Sequence, residues 1–124
     1  LTPQARIVAH SRHSHEPGLF TTAPVGAMQK LLARTGWTKD DIDLFEINEA
    51  FAMVTMLAIR DLGLDEAKVN VHGGACAQGH PIGSTGSRII VTLVHALRRH
   101  GKQRGIASLC IGGGEATAVG IELL

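Results

Sequence analysis

Residues 43–48 read Asp43-Leu44-Phe45-Glu46-Ile47-Asn48, and an apolar run from Phe51 to Leu62 follows almost at once. The first segment predicts a short strand over 43–47 that ends at Asn48, because a short apolar run is typical of a strand. The second segment predicts a helix, for which Gly63 supplies the stop. A strand that leads directly into a helix is the repeating unit of α/β domains. This stretch therefore predicts an α/β fold.

The same alternation continues on both sides of this unit. Further strands are predicted at Arg6–Ala9 (or as far as His13), Val69–His72, Gly105–Ile111 and Thr117–Leu124, with further helices from Pro24 to Arg34 and from Ser87 to His100. The glycines at 112–114 suit a tight antiparallel connection. We expect one domain over residues 1–124. Its sheet should be mixed and five-stranded, mostly parallel with an antiparallel last strand, and should carry helices on both faces.

Two of the predicted helices are unusually apolar for a solitary domain. Residues 51–59 and 89–97 are apolar on nearly every side, whereas a surface helix on a sheet shows one apolar stripe. Each run is about half of the roughly 20 residues that span a bilayer. We therefore expect both helices to lie between this sheet and a second structure outside the chain, either another domain or a partner subunit.

Composition limits the possible function classes. Hydrophobic residues make up 44% of the chain and charged residues 19%, and the formal net charge is only +1. This composition is globular. The only cluster of cations, between Arg98 and Arg104, closes a predicted helix, where positive charge complements the helix dipole. Because only three Phe, one Trp and no Tyr could stack on bases, we predict no nucleic-acid binding.

Cysteine usage and hydropathy bear on the compartment. The two cysteines, Cys76 and Cys110, form no framework of close pairs, which favours free thiols in a reducing compartment. Neither a secretory signal nor an apolar run of about 18 residues is visible. We expect a cytoplasmic protein that does not enter a membrane. Since the chain begins at Leu1 rather than Met, we also expect a fragment or a processed product.

Cys110 is a candidate for chemistry because it lies just before the glycines 112–114. A glycine run lets backbone N–H groups approach a ligand closely. Beside such donors, a thiol with a lowered pKa can act as a nucleophile or as a proton donor and acceptor. The alternative is a small buried hydrophobic side chain at a strand end, which is how most free cysteines behave.

His80 lies between Gly79 and Pro81 in a glycine-rich loop that leads into the third predicted helix. A position near a helix N-terminus disfavours the imidazolium, so we expect a neutral ring that can accept a proton. The alternative is a histidine that only caps a turn.

Asn48 follows a strand and precedes an apolar helix. Asn is a preferred N-cap residue, but its carboxamide could also point towards a ligand or an ordered water. Both interpretations can hold at different atoms of the side chain. Glu49 is a further candidate, and its alternative is a charge near a helix start.

Two other patterns predict no site. His10, His13 and His15 lie close together but have no acidic or cysteine partner at a recognised spacing, so we predict no metal. The loop from Gly79 to Gly86 is glycine-rich but lacks the Gly-Lys-Ser/Thr ending of a phosphate-binding loop.

Three motifs together are more specific than any of these residues alone. They are Asn48-Glu49-Ala50-Phe51 after a strand, the Gly73–Gly83 segment before a helix, and Cys110-Ile111-Gly112-Gly113-Gly114 before the last strand. In this order they resemble the C-terminal half of the thiolase family, which includes acetyl-CoA acetyltransferases and 3-ketoacyl-CoA thiolases. The likeness extends from Arg6 to Glu122.

The resemblance implies an architecture and an activity. Thiolases hold two similarly folded halves face to face, with apolar helices between two sheets. The implied partner is thus an N-terminal thiolase domain outside this chain, and the full-length form is expected to be a homo-oligomer. The implied reaction is Claisen condensation of two acetyl-CoA to acetoacetyl-CoA, or thiolytic cleavage of a 3-ketoacyl-CoA. Coenzyme A thioesters are the substrates, and no other cofactor is implied.

The resemblance also implies a role for each motif residue. His80 would activate a nucleophilic cysteine and help bind the thioester oxygen, and Asn48 would hold a water at the same oxyanion site. Cys110 would move the proton on the α-carbon of the second acyl-CoA. The N–H of Gly112 would contribute to a second oxyanion site, and Phe51 would contact coenzyme A.

Departures from the family pattern leave alternatives open. The nucleophilic cysteine belongs to the N-terminal half and nothing here replaces it, so the isolated chain is expected to be inactive. Cys76 stands where the family often has an aliphatic residue, which predicts a packing role. The alternatives are a longer-chain 3-ketoacyl-CoA thiolase, the related ketoacyl-ACP synthases, and a non-catalytic acyl-CoA-binding or assembly module.

Overall fold

The fold is a mixed sheet with helices on both faces, and the computed structural model describes all of residues 1–124. The strands are β1 (Ala5–Ser14), β2 (Leu44–Ile47), β3 (Arg104–Ile111) and β4 (Glu115–Leu123). The helices are α1 (Ala23–Thr35), α2 (Ala52–Leu62), α3 (Ala75–Gln78) and α4 (Ile82–Arg99). Short 3₁₀ turns cover residues 17–22, 39–41 and 66–68.

The sheet has four strands in the order β1-β4-β3-β2. Only β2 and β3 are parallel, and β4 runs antiparallel to both β1 and β3. The predicted five-stranded, mostly parallel sheet is therefore wrong in strand number and in strand direction. The predicted glycine connection is confirmed, because Ile111 pairs with Glu115 across the turn formed by residues 112–114.

The missing strand is the one predicted at Val69–His72. Val69 makes a single parallel bridge to Phe45, and the chain then turns away at Asn70, whose φ is +48°. The Asn70 side chain takes over the pairing: its Oδ1 accepts from the Ile47 N–H and its Nδ2 donates to the Ile47 carbonyl, both at 2.8 Å. This carboxamide satisfies the backbone of β2 where a neighbouring strand would otherwise do so.

Alternate strand residues face two separate cores. On one face, Phe45 and Ile47 pack with α1 and α2. On the other face, Leu44 and Ala107 pack with α4. Helices α2 and α4 therefore lie on opposite faces of the sheet, so a second structure that packs on one face would contact only one of them.

Each of these two helices buries one stripe and leaves apolar side chains at the surface. In α2, Val54 and Ala58 are fully buried, while Met53 and Met56 are 52% and 66% exposed. In the central turns of α4 the most exposed apolar side chain is Val91, at 56%. No helix of the chain combines the length and the apolar character that a bilayer crossing requires.

Helix α4 begins at Ile82, five residues before the predicted start at Ser87. Pro81 precedes the first turn, and its carbonyl accepts from the N–H groups of Ser84 and Thr85 at 2.7 and 2.9 Å. The glycines at 83 and 86 lie in this early part of the helix. Their cost there is small relative to the packing of the following turns. As a result His80 lies only two residues before a long helix.

Candidate functional site

Three of the predicted site residues line one cavity. His80, Cys110 and Gly112 form part of the wall of an open cavity of ≈ 400 Å³. The other residues of the wall are Phe20, Ala50, Ile82, Thr85, Leu109, Ile111 and Gly113. A mostly apolar wall with a few polar groups is the usual character of a small-molecule site.

The parallel pairing of β2 and β3 explains why two of the motifs are neighbours. Ile47 pairs with Ser108, and the Asn48 N–H donates to the Ser108 carbonyl at 2.9 Å. Carboxyl ends of parallel strands meet at one edge of a sheet. Asn48 and Cys110 both lie at this edge, just beyond the Ile47–Ser108 pair. The loop before α4 brings His80 to the same edge.

The ring of His80 is held by a residue in the first turns of α4. Its Nδ1 lies 2.7 Å from Oγ1 of Thr85, and the Thr85 hydroxyl donates to the Pro81 carbonyl at 3.1 Å. A hydroxyl has one proton, so Oγ1 accepts the other bond from Nδ1–H of His80. Nε2 is then the ring nitrogen with the free lone pair, and it is the atom that can accept a proton.

Cys110 is half-buried near the end of β3. Burial raises the pKa of the Cys110 thiol, and a backbone contact only partly offsets this effect. The thiol is therefore protonated near neutral pH. This differs from the lowered pKa on which the nucleophile and the proton-transfer interpretations both depended. In the thiol form, Cys110 is a proton donor.

Asn48 does not belong to the cavity wall and is 1% exposed. Helix α2 begins at Ala52 with Phe51 in the N-cap position, so the N-cap interpretation of Asn48 is wrong. Its Oδ1 accepts from Nη2 of Arg88 at 3.5 Å, and its Nδ2 has no partner in the chain. The carboxamide thus has one donor group free in a buried position.

Glu49 fastens the glycine-rich loop to the end of β2. Its carboxylate accepts from the Cys76 N–H at 2.9 Å and from Nδ2 of Asn70 at 3.2 Å. The carboxylate also lies so close to Gly74 that any side chain at Gly74 would overlap it. Glu49 is therefore a structural clamp rather than a charge at a helix start. Cys76 is exposed, so the packing role predicted for it is wrong.

The glycines after Cys110 form a tight turn that is tied to the end of β1. Gly113 and Gly114 have φ values of +87° and +81°, which only glycine adopts readily. The His15 N–H donates to the Gly114 carbonyl at 3.0 Å. A side chain at Gly114 would overlap the backbone carbonyls of His15 and Glu16. This contact fixes the turn that carries Gly112.

Phe51 is 60% exposed and lies outside the cavity wall. Its ring meets Phe20 edge to face, with centroids 6.1 Å apart, and Phe20 belongs to the wall. Sequence reasoning missed Phe20, Thr85 and Arg88. The only signal for Thr85 was the Gly83-Ser84-Thr85-Gly86 run, which has no phosphate-binding pattern.

The family profile described as "Thiolase, C-terminal domain" matches residues 1–123. The chain belongs to the thiolase family. The resemblance seen in the three motifs is thereby confirmed.

Relatives and solved structures agree with this assignment. The chain is 49% identical over 122 residues, or 98% of its length, to a Mus musculus cytosolic acetyl-CoA acetyltransferase. It superimposes on an Ascaris suum thiolase in complex with coenzyme A with a TM-score of 0.95 and 46% identity, over 100% of this chain and 32% of that one. For human mitochondrial 3-ketoacyl-CoA thiolase the TM-score is 0.96 and the identity 46%, over 99% and 31%.

This thiolase domain corresponds to a limited part of those proteins. The chain spans 31% of the mouse relative's length.

Proposed function

We propose that this chain is the C-terminal half of a thiolase that condenses two acetyl-CoA molecules to acetoacetyl-CoA and catalyses the reverse thiolysis. The observation that carries the proposal is the single cavity lined by His80, Cys110 and Gly112. The nucleophilic cysteine comes from an N-terminal domain outside residues 1–124. Coenzyme A thioesters are the substrates, and the chemistry uses no additional cofactor.

In the first half-reaction the cysteine sulfur of the N-terminal domain attacks the thioester carbonyl. Nε2 of His80 accepts the proton of that cysteine and passes it to the departing coenzyme A sulfur. The acyl group is left on the enzyme as a thioester. A water held by the free Nδ2 of Asn48 donates to the oxyanion, and one such donor is worth roughly 3 kcal/mol in comparable sites.

In the second half-reaction Cys110 moves the α-proton of a second acyl-CoA. The thiolate form of Cys110 takes this proton as the new carbon–carbon bond forms. The bond from the acyl carbon to the enzyme's cysteine breaks, and that cysteine leaves as a thiolate. In the cleavage direction the Cys110 thiol returns the proton to the α-carbon. The raised pKa of Cys110 favours the thiol form that cleavage requires. The N–H of Gly112 stabilises the second oxyanion.

Phe51 is the proposed contact for coenzyme A outside the cavity. It is exposed and touches Phe20 of the wall, so a ligand that leaves the cavity on this side passes over its ring. The coenzyme A complex of the Ascaris suum thiolase supports this class of ligand. We further propose that the full-length form is a homo-oligomer. We also propose that it is located in the cytoplasm, a location supported by the word "cytosolic" in the name of the mouse relative.

A longer-chain 3-ketoacyl-CoA thiolase is the second candidate. It is favoured by the 46% identity to a human protein of that name. A series of 3-ketoacyl-CoA substrates of increasing chain length separates the two candidates. The proposed acetoacetyl-CoA enzyme loses kcat/KM as the acyl chain lengthens.

The decisive experiment is a thiolysis assay with acetoacetyl-CoA and coenzyme A. The chain is assayed alone and after co-expression with the N-terminal half of an acetyl-CoA acetyltransferase. We expect turnover only for the combined halves, and losses of at least about 100-fold for His80→Ala and Cys110→Ala. Binding of coenzyme A without turnover in the combined halves would indicate a non-catalytic module. Full rates for both variants would contradict the assigned roles.

A further inference from the structure

Three polar side chains form a largely buried cluster between α4 and β2, outside the cavity wall. Glu46 and Asn48 are each 1% exposed, and the side chain of Arg88 is 18% exposed. Arg88 extends from α4 to β2, where its Nη1 lies 3.5 Å from Oε2 of Glu46. Its Nη2 donates to Oδ1 of Asn48 at 3.5 Å. One guanidinium thus contacts both side chains.

This cluster contributes little to the stability of the folded state. Oε1 of Glu46, Nδ2 of Asn48, and Nε and Nη1 of Arg88 have no hydrogen-bond partner although they are buried. Burying an ion pair costs desolvation energy that distances of 3.5 Å recover only in part. Well-packed apolar side chains at these positions would hold β2 and α4 together at least as well. The cluster therefore calls for a reason other than stability.

The chemistry of the guanidinium determines which way the Asn48 carboxamide faces. Arginine can only donate hydrogen bonds, whereas the carboxamide has one accepting oxygen and one donating nitrogen. If Asn48 were flipped, its NH₂ group would meet the NH₂ groups of Arg88. The oxygen must therefore face Arg88, and Nδ2 must face away from it. The positive charge also polarises the amide and strengthens its N–H donors.

We infer that Arg88 is a positioning residue that fixes the Asn48 carboxamide with its NH₂ group free to donate towards the active site. Glu46 anchors Arg88, and the inference rests on the proposed function. The donor that Arg88 leaves free is the unpartnered Nδ2 of Asn48. Arg88 does not line the cavity. It acts on the reaction only through Asn48.

The first test observes the orientation directly in the chain itself. The side-chain ¹⁵N–¹H₂ resonances of Asn48 are recorded in the wild type, in Arg88→Met and in Arg88→Lys. We expect Arg88→Met to shift and broaden these resonances, because the carboxamide can then flip, and Arg88→Lys to restore them partly. Arg98→Met is the matched control, since Arg98 is an exposed arginine of the same helix.

The second test uses the combined halves and a double-mutant cycle. If Arg88 acts only through Asn48, the double variant Asn48→Ala/Arg88→Met loses no more kcat than Asn48→Ala alone. We expect Asn48→Ala to lower kcat on the order of 100-fold, and Arg88→Met about 10-fold with KM nearly unchanged. A merely structural role would instead lower stability and add its loss to that of Asn48→Ala.

The possible outcomes are separable. Unchanged Asn48 resonances in a folded Arg88→Met variant overturn the inference, and so do additive losses in the cycle. If Arg88→Met does not fold, Arg88→Lys and Glu46→Gln carry both tests, with a smaller shift and a smaller loss of kcat expected. Absence of turnover in the wild-type combined halves contradicts the proposed function, and the resonance test then decides the inference alone.

Discussion

The imidazole Nδ1 of His80 lies 2.7 Å from the hydroxyl oxygen of Thr85. Because that hydroxyl donates to the Pro81 carbonyl, the pair fixes the tautomer in which Nε2 accepts a proton. We expect Thr85→Val to lower kcat about 10-fold, since the ring loses this orientation. Thr85→Ser retains the hydroxyl and should keep most of the rate. The measurement is the acetoacetyl-CoA thiolysis rate of the combined halves. Equal rates for both variants would argue against this role.

The turn at Gly114 should tolerate no side chain. Its φ of +81° is strained for other residues, and an added Cβ would overlap the carbonyls of His15 and Glu16. We expect Gly114→Ala to lower the free energy of unfolding by about 1–3 kcal/mol. Gly18→Ala is the control, because a Cβ there would meet nothing. Urea denaturation measures the free energy of unfolding of both variants. A neutral Gly114→Ala would show that the β3–β4 turn can move.

Glu46 should make stability depend on pH. Burial raises its pKa to about 7 from an ordinary 4.5, although Arg88 opposes the shift. Between these values the folded state keeps a proton that the unfolded state has lost, so the free energy of unfolding falls as pH rises from 4.5 to 7.

The Gln side chain of the Glu46→Gln variant cannot titrate, so this variant lacks the contribution of Glu46 to the pH dependence of stability. We expect the difference in unfolding free energy between wild type and Glu46→Gln to change by on the order of 3 kcal/mol across that window. Other groups, including His13, cancel in the difference between the two proteins. Denaturant titrations at several pH values measure it. A difference that is constant with pH would mean that Glu46 is ionised throughout.

The Glu49 clamp should control the mobility of the glycine-rich loop. Glu49→Ala removes the acceptor for the Cys76 N–H and for Nδ2 of Asn70. We expect amide hydrogen exchange over residues 73–79 to become faster, by about 10-fold or more for Cys76. Glu66→Ala is a suitable control at an exposed carboxylate. If exchange in the loop does not change, other contacts must hold it.

The sequence predicted the parts of the site that depend on local order along the chain. Asn48 and Cys110 lie near the ends of strands that apolar runs indicated. His80 lies in a glycine-rich loop, although the helix after it begins five residues earlier than predicted. Side-chain contacts between distant segments were not recognisable. The contact between Arg88 and Glu46 joins a helix to a strand 42 positions away, and no local pattern reports it.

The errors in the fold have the same origin. Val69–His72 has the local character of a strand, and Val69 does make one bridge. The pairing then stops because the side chain of Asn70 binds the backbone of Ile47. Strand direction was misjudged because β1 pairs with β4, its most distant partner in sequence. Such non-local pairing leaves no periodicity in either segment.

The pairing of β1 with β4 also determines where the two chain ends lie. Ala5 is opposite Leu123, and the Leu124 N–H donates to the Gln4 carbonyl at 3.3 Å. Ser14 and Glu115, at the other end of the same pair, lie beside the turn that carries Gly112. A fluorophore or affinity label attached to either terminus of this chain would thus be about nine residues of strand away from the cavity, roughly 30 Å. Such labels could report assembly of the two halves without obstructing catalysis.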